Sequence, residues 1–487
     1  MKKFFLLLIF FLLLTLVFIL YNTYKFKPNN SGVKVELVER SQIPIGAVER
    51  MTEAIAIRTV SFENEADFDS IQFQLFNNFL SENYPTLHHK AEHKTFSTYS
   101  HLYKLQGKQP SKKPILLMGH HDVVPIASPA IWTVHPFTEG IQNDTIFGRG
   151  CIDDKGAVIS VLESIEQLLK EGFEPERTIY FAFGHDEEVS GPRGAAKISN
   201  YLKESKIEFA FVLDEGGAST QGLVPGLKEN IALIGIAEKG YVTFELESQM
   251  VGGHSSKPEK ETSIDVLATA ISKLKQNPLP RKITPVLSAF MNELGPYMDF
   301  KVRMAFANKW LFESSILDEY EKTSQGNASI RTTTAPTIFE SGIKENVIPT
   351  ASRAVVNFRI LPGETIETVK EHILQTIDDE RISVNIKGKG FNPSAISSTE
   401  NDPYQLISKS IKEIFPNIIV SPNLVIGATD ARHYSKVSPN VYRFAPFKLT
   451  PENINCFHGV DERIPVEEFK NAIRFYRQII INGSRIS

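Results

Sequence analysis

Imidazoles and carboxylates stand directly behind apolar runs at five places in the sequence. They are Leu116-Leu117-Met118-Gly119-His120-His121-Asp122, Gly148-Arg149-Gly150-Cys151-Ile152-Asp153-Asp154, His185-Asp186-Glu187-Glu188, Leu213-Asp214-Glu215-Gly216-Gly217 and Phe457-His458-Gly459-Val460-Asp461-Glu462-Arg463. Residues i and i+2 of an extended chain share a face, so His120 and Asp122 can act together while His121 points away. Asp122 would then hold the second imidazole nitrogen of His120 and fix its tautomer. A helix N-cap accounts for one of Asp153 and Asp154, but two acids exceed what a cap needs. The successive carboxyls of Asp186, Glu187 and Glu188 repel one another unless a cation or a proton sits among them. Taken singly, each segment reads equally well as a core histidine or a solvated acidic turn. Taken together, they offer imidazole and carboxylate donors without thiolate, which suits a pair of divalent metals. Two Zn2+ ions would be nearly neutralised by Asp153, Glu188 and Asp214, and Mn2+ or Co2+ is compatible with the same donors. Cys151 and Cys456 each stand two residues before a proposed ligand and could lie near each other; they read as buried, inert thiols rather than ligands, and a single bridge or two free thiols are equally open.

Such donors meet only if strands end side by side. The runs 114–118, 178–183 and 208–213 are short and apolar on both faces, as buried parallel strands are. Val158, Val161, Leu162, Ile165, Leu168 and Leu169 keep helical spacing, and Gly172 marks a stop. Strands alternating with helices predict an α/β sheet with crossovers, whose ligand crevice lies beyond the carboxyl ends of the strands. The pattern changes near Lys239. Val242, Phe244 and Leu246 alternate with polar residues, as do Ala354, Val356, Phe358 and Ile360, and later Ile382, Val384 and Ile386. Helical spacing at Ile264, Leu267, Ile271 and Leu274, and again at Ile366, Val369, Ile373 and Ile377, completes a β-α-β-β-α-β, ferredoxin-like unit. After about Gly390 the earlier style returns, with Asp402 capping a helix that has Pro403 at its first position, and Phe469, Ile473, Tyr476 and Ile480 marking a terminal helix. The predicted division is an N-terminal segment and tether at 1–30, a catalytic domain in two parts at 31–238 and 393–487, and an inserted lid or dimerisation-type domain at 239–392.

The chain has 487 residues, 42% hydrophobic and 23% charged, which is globular composition and disfavours disorder or a multi-span membrane protein. A net charge of −4 gives no electrostatic footprint for nucleic acid. Met1-Lys2-Lys3 opens onto an apolar run from Phe4 to Tyr21, interrupted only by Thr15. At about 1.5 Å per residue it spans about 27 Å, nearly a bilayer core. The residues that follow, Tyr21 to Lys27, are not the small ones a signal peptidase prefers, which favours an uncleaved anchor over a cleaved signal. Flanking charges place the folded bulk outside the cytosol, whether periplasmic, luminal or extracellular, and cleavage would make the chain secreted. From Asn29 to about Leu37 the composition turns more polar, with Asn29, Asn30, Ser31 and Gly32 in succession, which reads as the tether.

These strings resemble the dizinc aminoacylase/carboxypeptidase metallopeptidases, over about residues 45 to 480. Tyr99-Ser100-His101-Leu102, Lys260-Glu261-Thr262-Ser263-Ile264, Ile330-Arg331-Thr332-Thr333-Thr334-Ala335 and Asn357-Phe358-Arg359 resemble the carboxypeptidase S and N-fatty-acyl-amino-acid synthase/hydrolase branch. The resemblance implies a zinc-peptidase-like mixed sheet flanked by helices, with an inserted ferredoxin-like α+β lid. It implies metal ligands at His120, Asp153, Glu188, Asp214 and His458, with Asp153 bridging and Glu215 the alternative to Asp214. It further implies Asp122 orienting His120, Glu187 as general base, and His254 as an electrophilic donor from the inserted domain. Asn346 and Arg359 would bind substrate oxygen and carboxylate, and Thr429, Asp430 and Arg432 would belong to a loop beside the cleft. The expected reaction is hydrolysis of an amide whose amine part is an amino acid with a free carboxylate, on a short peptide or an N-acyl amino acid, and it could run in reverse. The alternative is a catalytically inactive, membrane-tethered binding protein on the same fold. Apolar residues between Pro285 and Glu319 either line an acyl groove or pack helix on helix, and edge strands of the inserted unit could pair in a homodimer.

Overall fold

The computed structural model describes residues 1–28 and 35–485, so residues 29–34 of the expected tether lie outside the described residues. The strands that position the site are, in chain order, β1 (Glu92–Phe96), β2 (Ser100–Leu105), β3 (Ile115–His120), β4 (Ile179–Gly184), β5 (Phe211–Gln221), β6 (Asn230–Glu238), β7 (Gly240–Gln249), β8 (Thr333–Ser341), β9 (Ala351–Ile360), β10 (Ile382–Ile386), β11 (Ile419–Val425) and β12 (Val441–Leu449). One mixed sheet of eight strands runs β1-β2-β4-β3-β5-β12-β6-β11. Within it β3 is parallel to both β4 and β5, and β5 is parallel to β12, so the ends of β3, β4 and β5 point the same way.

Alternation along these strands explains their continuous apolarity. Ile115, Leu117, Phe181 and Phe183 face a core shared with helices at 155–170 and 466–485. Their neighbours Leu116, Met118, Tyr180 and Ala182 face a second core against Ile198 and Leu202. Both faces are therefore covered, as crossover helices require.

The helices used below are α1 (Lys2–Lys25), α2 (Lys155–Lys170), α3 (Ser263–Gln276), α4 (Pro285–Leu294), α5 (Phe300–Ala307), α6 (Lys309–Glu321), α7 (Ser324–Ile330), α8 (Ile366–Ile377), α9 (Asp402–Ile414) and α10 (Val466–Arg485). Helix α9 is capped by the Asn401 side chain rather than by Asp402. A second sheet, of order β8-β9-β7-β10, is antiparallel throughout. Val242, Phe244 and Leu246 of β7 and Ala354, Val356 and Phe358 of β9 pack under α3 and α8, whose starts carry capping boxes at Thr262 and Thr365. The order is that of a ferredoxin-like unit, with α4 to α7 inserted between α3 and β8.

Those inserted helices do not stay with the small sheet. Leu294 and Phe290 pack against Ile231 and Ile419 at the edge of the large sheet, and Leu287, Met291, Phe306, Ile316 and Leu317 pack on one another. None of the apolar residues between Pro285 and Glu319 lines the catalytic-side cavity described below, so the acyl-groove expectation for that segment gives way to helix packing.

Candidate dinuclear metal centre

Asp153 sits between two imidazoles. Its Oδ1 is 3.0 Å from His120 Nε2 and its Oδ2 is 2.7 Å from His458 Nε2. His120 closes β3, His458 comes from the loop before α10, and Asp153 comes from the loop that ends at the Asp154 cap of α2. Two sets of donor atoms thus share one carboxylate: His120, Asp153 and Glu215 on one side, and Asp153, Glu188 and His458 on the other. Within each set the donor atoms lie within 4.8 Å of one another. Glu188 Oε2 is 3.6 Å from His458 Nε2, while Glu188 Oε1 is buried with no hydrogen-bond partner among the described residues. An acceptor left without a donor in that position is what a carboxylate awaiting a cation presents.

At one position the structure departs from the expected set. Asp214 is 2% exposed and its Oδ2 accepts from Ala431 N at 2.8 Å, so it braces the loop after β11. Glu215 is the residue that reaches the cavity and the His120–Asp153 pair. Successive residues of β5 face opposite sides, so the two cannot exchange places.

Asp122 does more than face His120. Its carboxylate is 3.4 Å from His120 Nδ1, farther than its own backbone oxygen at 3.0 Å. The two carboxylate oxygens accept from the backbone N–H groups of Glu187 and Glu188, each at 3.1 Å. Asp122 therefore fixes the turn that presents both acids. Close approach also constrains Gly119, where a Cβ would lie 2.4 Å from Asp154 Oδ2.

Glu462, which the sequence reading left without a role, cradles the Asp153 loop. Fully buried, it accepts from Gly150 N at 3.1 Å, Ile152 N at 2.8 Å, Asp153 N at 3.2 Å and Arg149 at 2.6 Å. Arg149 in turn donates to the carbonyls of His458 and Gly459 at 3.2 and 2.8 Å. One ion pair thus ties the two loops whose side chains meet at Asp153. Cys151 and Cys456 are buried free thiols.

Crowding shifts the protonation of every member. Burial and the neighbouring Asp153 push the Glu188 carboxyl up to about 7, and burial raises those of Glu187 and Glu215 well above the ordinary range. Hydrogen bonds to Asp153 and Glu188 lift His458 to about 10, and His120 and His458 together hold Asp153 below the usual carboxylate range against its burial. A cluster with this excess of negative charge binds cations in competition with protons.

The set opens onto a cavity of about 1590 Å3, lined by Glu187, Glu188, Glu215, Tyr241, Arg359, Phe391, Thr429 and Arg432 among others. The Arg359 guanidinium lies 4.9 Å from the Tyr241 ring and that of Arg432 lies 4.6 Å from the Phe391 ring. Those two rings stack at 5.9 Å. Thr429 is held by Glu238, and Asp430 is buried beneath the cavity wall. His254 and Asn346 are not part of the lining. They stand together on a two-stranded projection that pairs His254 with Val347, where His254 Nδ1 accepts from Ser256.

Residues 116–482 match the profile of peptidase family M20/M25/M40. A carboxypeptidase S-like protein of Dictyostelium discoideum is 37% identical, over 96% of this chain and 92% of its own. The N-fatty-acyl-amino acid synthase/hydrolase PM20D1 of Xenopus tropicalis is 38% identical, over 93% of this chain and 88% of its own. Among solved structures, the M20 family metallo-carboxypeptidase Sso-CP2 from Sulfolobus solfataricus superposes with a TM-score of 0.66 at 17% identity, covering 90% of this chain and 99% of that one.

Proposed function

The chain belongs to peptidase family M20/M25/M40 and is a metal-dependent amide hydrolase, and we propose that it is a dizinc enzyme acting on N-acyl amino acids with extended acyl groups. His120, Asp153 and Glu215 would hold one ion and Asp153, Glu188 and His458 the other. The observation that carries this is the division of the Asp153 carboxylate between two imidazoles, one per oxygen. Bound there, the ions would supply Lewis acidity, acidifying water and polarising the scissile carbonyl. Glu187, beside Glu188 and facing the cavity, takes the proton of the attacking water on its carboxylate and delivers it to the departing nitrogen. Arg359 grips the free carboxylate of the amino acid, for which a planar fork is better suited than an ammonium. Thr429 and Arg432 line the cavity with Asp430 buried behind them, and Arg432, on the same stacked aromatic pair as Arg359, is anchored by bonds to the carbonyls of Thr429 and Ser190 at 2.7 Å.

The choice of an acyl substrate rests on the cavity's size and on its apolar lining by Phe391, Leu424, Ile426, Phe447, Leu449 and Phe457. The same site catalyses condensation when fatty acid and amino acid are in excess. Helix α1 has the length and composition to cross a membrane, and we read it as an anchor that holds the enzyme outside the cytosol. The exposed edge strand β8 and the projection bearing His254 and Asn346 suit pairing between two copies.

Two measurements test the reading. Long-chain N-acyl amino acids should turn over well above Gly-Leu-type dipeptides, and the reverse ranking removes the acyl assignment. Glu187→Gln should lower kcat by about 10² to 10⁴ while both metal equivalents stay bound, and unchanged turnover removes Glu187 from the chemistry.

A further inference from the structure

Helix α1 does not hang free of the folded body. The bend between α5 and α6 grips its last turns through polar contacts that leave its apolar flank bare. Asn308, fully buried at that bend, donates to Ile19 O at 3.2 Å and to Thr23 Oγ1 at 3.3 Å, and accepts from Asn22 Nδ2 at 3.0 Å. Arg303 on α5 caps the end of α1, donating to the carbonyls of Thr23, Tyr24 and Phe26. These are carbonyls that a helix terminus leaves without intrahelical partners. Phe26 then tucks against Gly295, where a Cβ would lie 2.6 Å from its ring, and joins the Leu287–Met291–Phe306 cluster.

That grip fixes a depth scale. The apolar run of α1 ends at Tyr21, and Phe18 lies about 4.5 Å inside that end at 1.5 Å per residue. The ring of Trp310, at the start of α6, lies 6.1 Å from the ring of Phe18. Trp310 is 60% exposed and its neighbour Leu311 is 47% exposed, beside a helix whose own apolar residues are bare. On the water side of the same level stand the guanidinium of Arg303 and the ammonium groups of Lys25 and Lys27. An indole just inside the hydrocarbon edge with cations just outside it is how proteins seat at a bilayer interface.

We propose that the end of α1 and the α5–α6 bend form one membrane-seating surface, on which Trp310 and Leu311 enter the outer edge of the lipid and the hydrolase body is held in a fixed orientation. The partner is a phospholipid bilayer. The proposal rests on the anchor reading given above and is independent of the hydrolytic one. The surface continues to the site, because α6 packs on α7, whose Gln325 and Ser329 line the cavity. The seat therefore sets how the cavity stands relative to the membrane.

The test uses the full chain reconstituted in phosphatidylcholine vesicles, with bromine carried either near the glycerol end or near the methyl end of the acyl chains. Trp132, the other indole, is buried, so the emission lost in Trp310→Phe belongs to Trp310. The expected result is blue-shifted Trp310 emission, quenched more by the shallow bromines than by the deep ones. Arg303→Ala combined with Asn308→Ala should abolish that shift while the chain stays with the vesicles in alkaline carbonate. Water-like, unquenched Trp310 emission from a chain that resists carbonate overturns the seat and leaves the anchor standing. Release of the chain by carbonate overturns both. Hydrolysis by the same preparation reads the enzymatic proposal separately.

Discussion

Glu462→Gln isolates the device that brings the two halves of the centre together. The Arg149–Glu462 contact is 2.6 Å and both side chains are at most 3% exposed, so neither charge has water to fall back on. Removing one partner of a buried pair typically costs about 3 to 5 kcal/mol. Here the lower end applies, because Arg149 keeps its bonds to the His458 and Gly459 carbonyls. The amide retains one acceptor oxygen for the loop N–H groups of Gly150, Ile152 and Asp153, and its NH2 meets the remaining donors. The expected loss is therefore about 3 kcal/mol of stability, together with a fall of about 10 to 100-fold in metal affinity, as for other groups that orient a ligand. Trp132 reports the event directly, since Arg149 lies 5.3 Å from its ring. Urea unfolding followed by Trp132 emission in a Trp310→Phe background reads the first quantity, and zinc competition against a chromophoric chelator reads the second. The double variant Arg149→Met with Glu462→Gln should be less damaged than the sum of the singles, because no buried charge is left alone. An unchanged urea midpoint and zinc affinity in Glu462→Gln would refute the coupling.

Glu215→Gln should weaken binding of one metal equivalent by at least about tenfold, whereas Asp214→Asn should retain both equivalents. Metal analysis after dialysis at fixed free zinc decides, and the opposite pattern restores Asp214 as the donor. Arg359→Lys should raise KM for N-acyl amino acids by about 10 to 100-fold, the equivalent of one charge-assisted hydrogen bond, with a smaller effect on kcat; an unchanged KM removes Arg359 from carboxylate binding. Burial holds the His101 imidazole down at about 3, with His93 and His88 adding to it, so the unfolded chain takes up that proton first as pH falls. The associated stability is complete above pH 6.5 and declines towards pH 3; at pH 5 the loss is about 2 kcal/mol, from 1.5 units at 1.36 kcal/mol each. Urea midpoints at pH 7 and pH 5 should therefore differ less in His101→Gln than in the parent, and equal differences would show that His101 carries none of the acid sensitivity.

Strands buried on both faces leave a direct trace in sequence. The apolar runs at 114–118 and 178–183 mark β3 and β4 to within two residues, because every side chain on them is buried. One-sided burial leaves an equally readable alternation, which is why Val242, Phe244 and Leu246 announce β7. Facing direction at a strand end is less legible. Asp214 and Glu215 follow the same apolar run, and which of them meets His120 depends on how β5 sits against its neighbours, a relation with no local sequence signal. Glu462 was hidden for a similar reason, since its partners stand 309 to 313 positions earlier in the chain. Helical spacing between Pro285 and Glu319 revealed apolar faces but not what covers them, and the structure covers them with one another, the edge of the large sheet and Phe26 of the N-terminal segment.

The candidate metal ligands and Arg359 stand on different sheets, and a buried polar joint sets the distance between them. The chain leaves the large sheet at Glu238, enters the small one at Gly240, and returns alongside through Phe391 to Ser394. Lys239 and Glu238 are both fully buried at this crossing. The Lys239 ammonium donates to the carbonyls of Ala328 and Arg331 at 2.9 Å, and Glu238 accepts from Arg443 and from Thr429 of the cavity wall. Buried polar groups with partners in place resist displacement, because each broken bond would strand a charge without solvent. The aromatic pair Tyr241–Phe391, bonded backbone to backbone within two residues of that knot, is consequently fixed relative to the metal-side carboxylates. Arg359 rests on this same pair. The reach from the Arg359 guanidinium to Glu187 is thus determined by the joint rather than by either sheet.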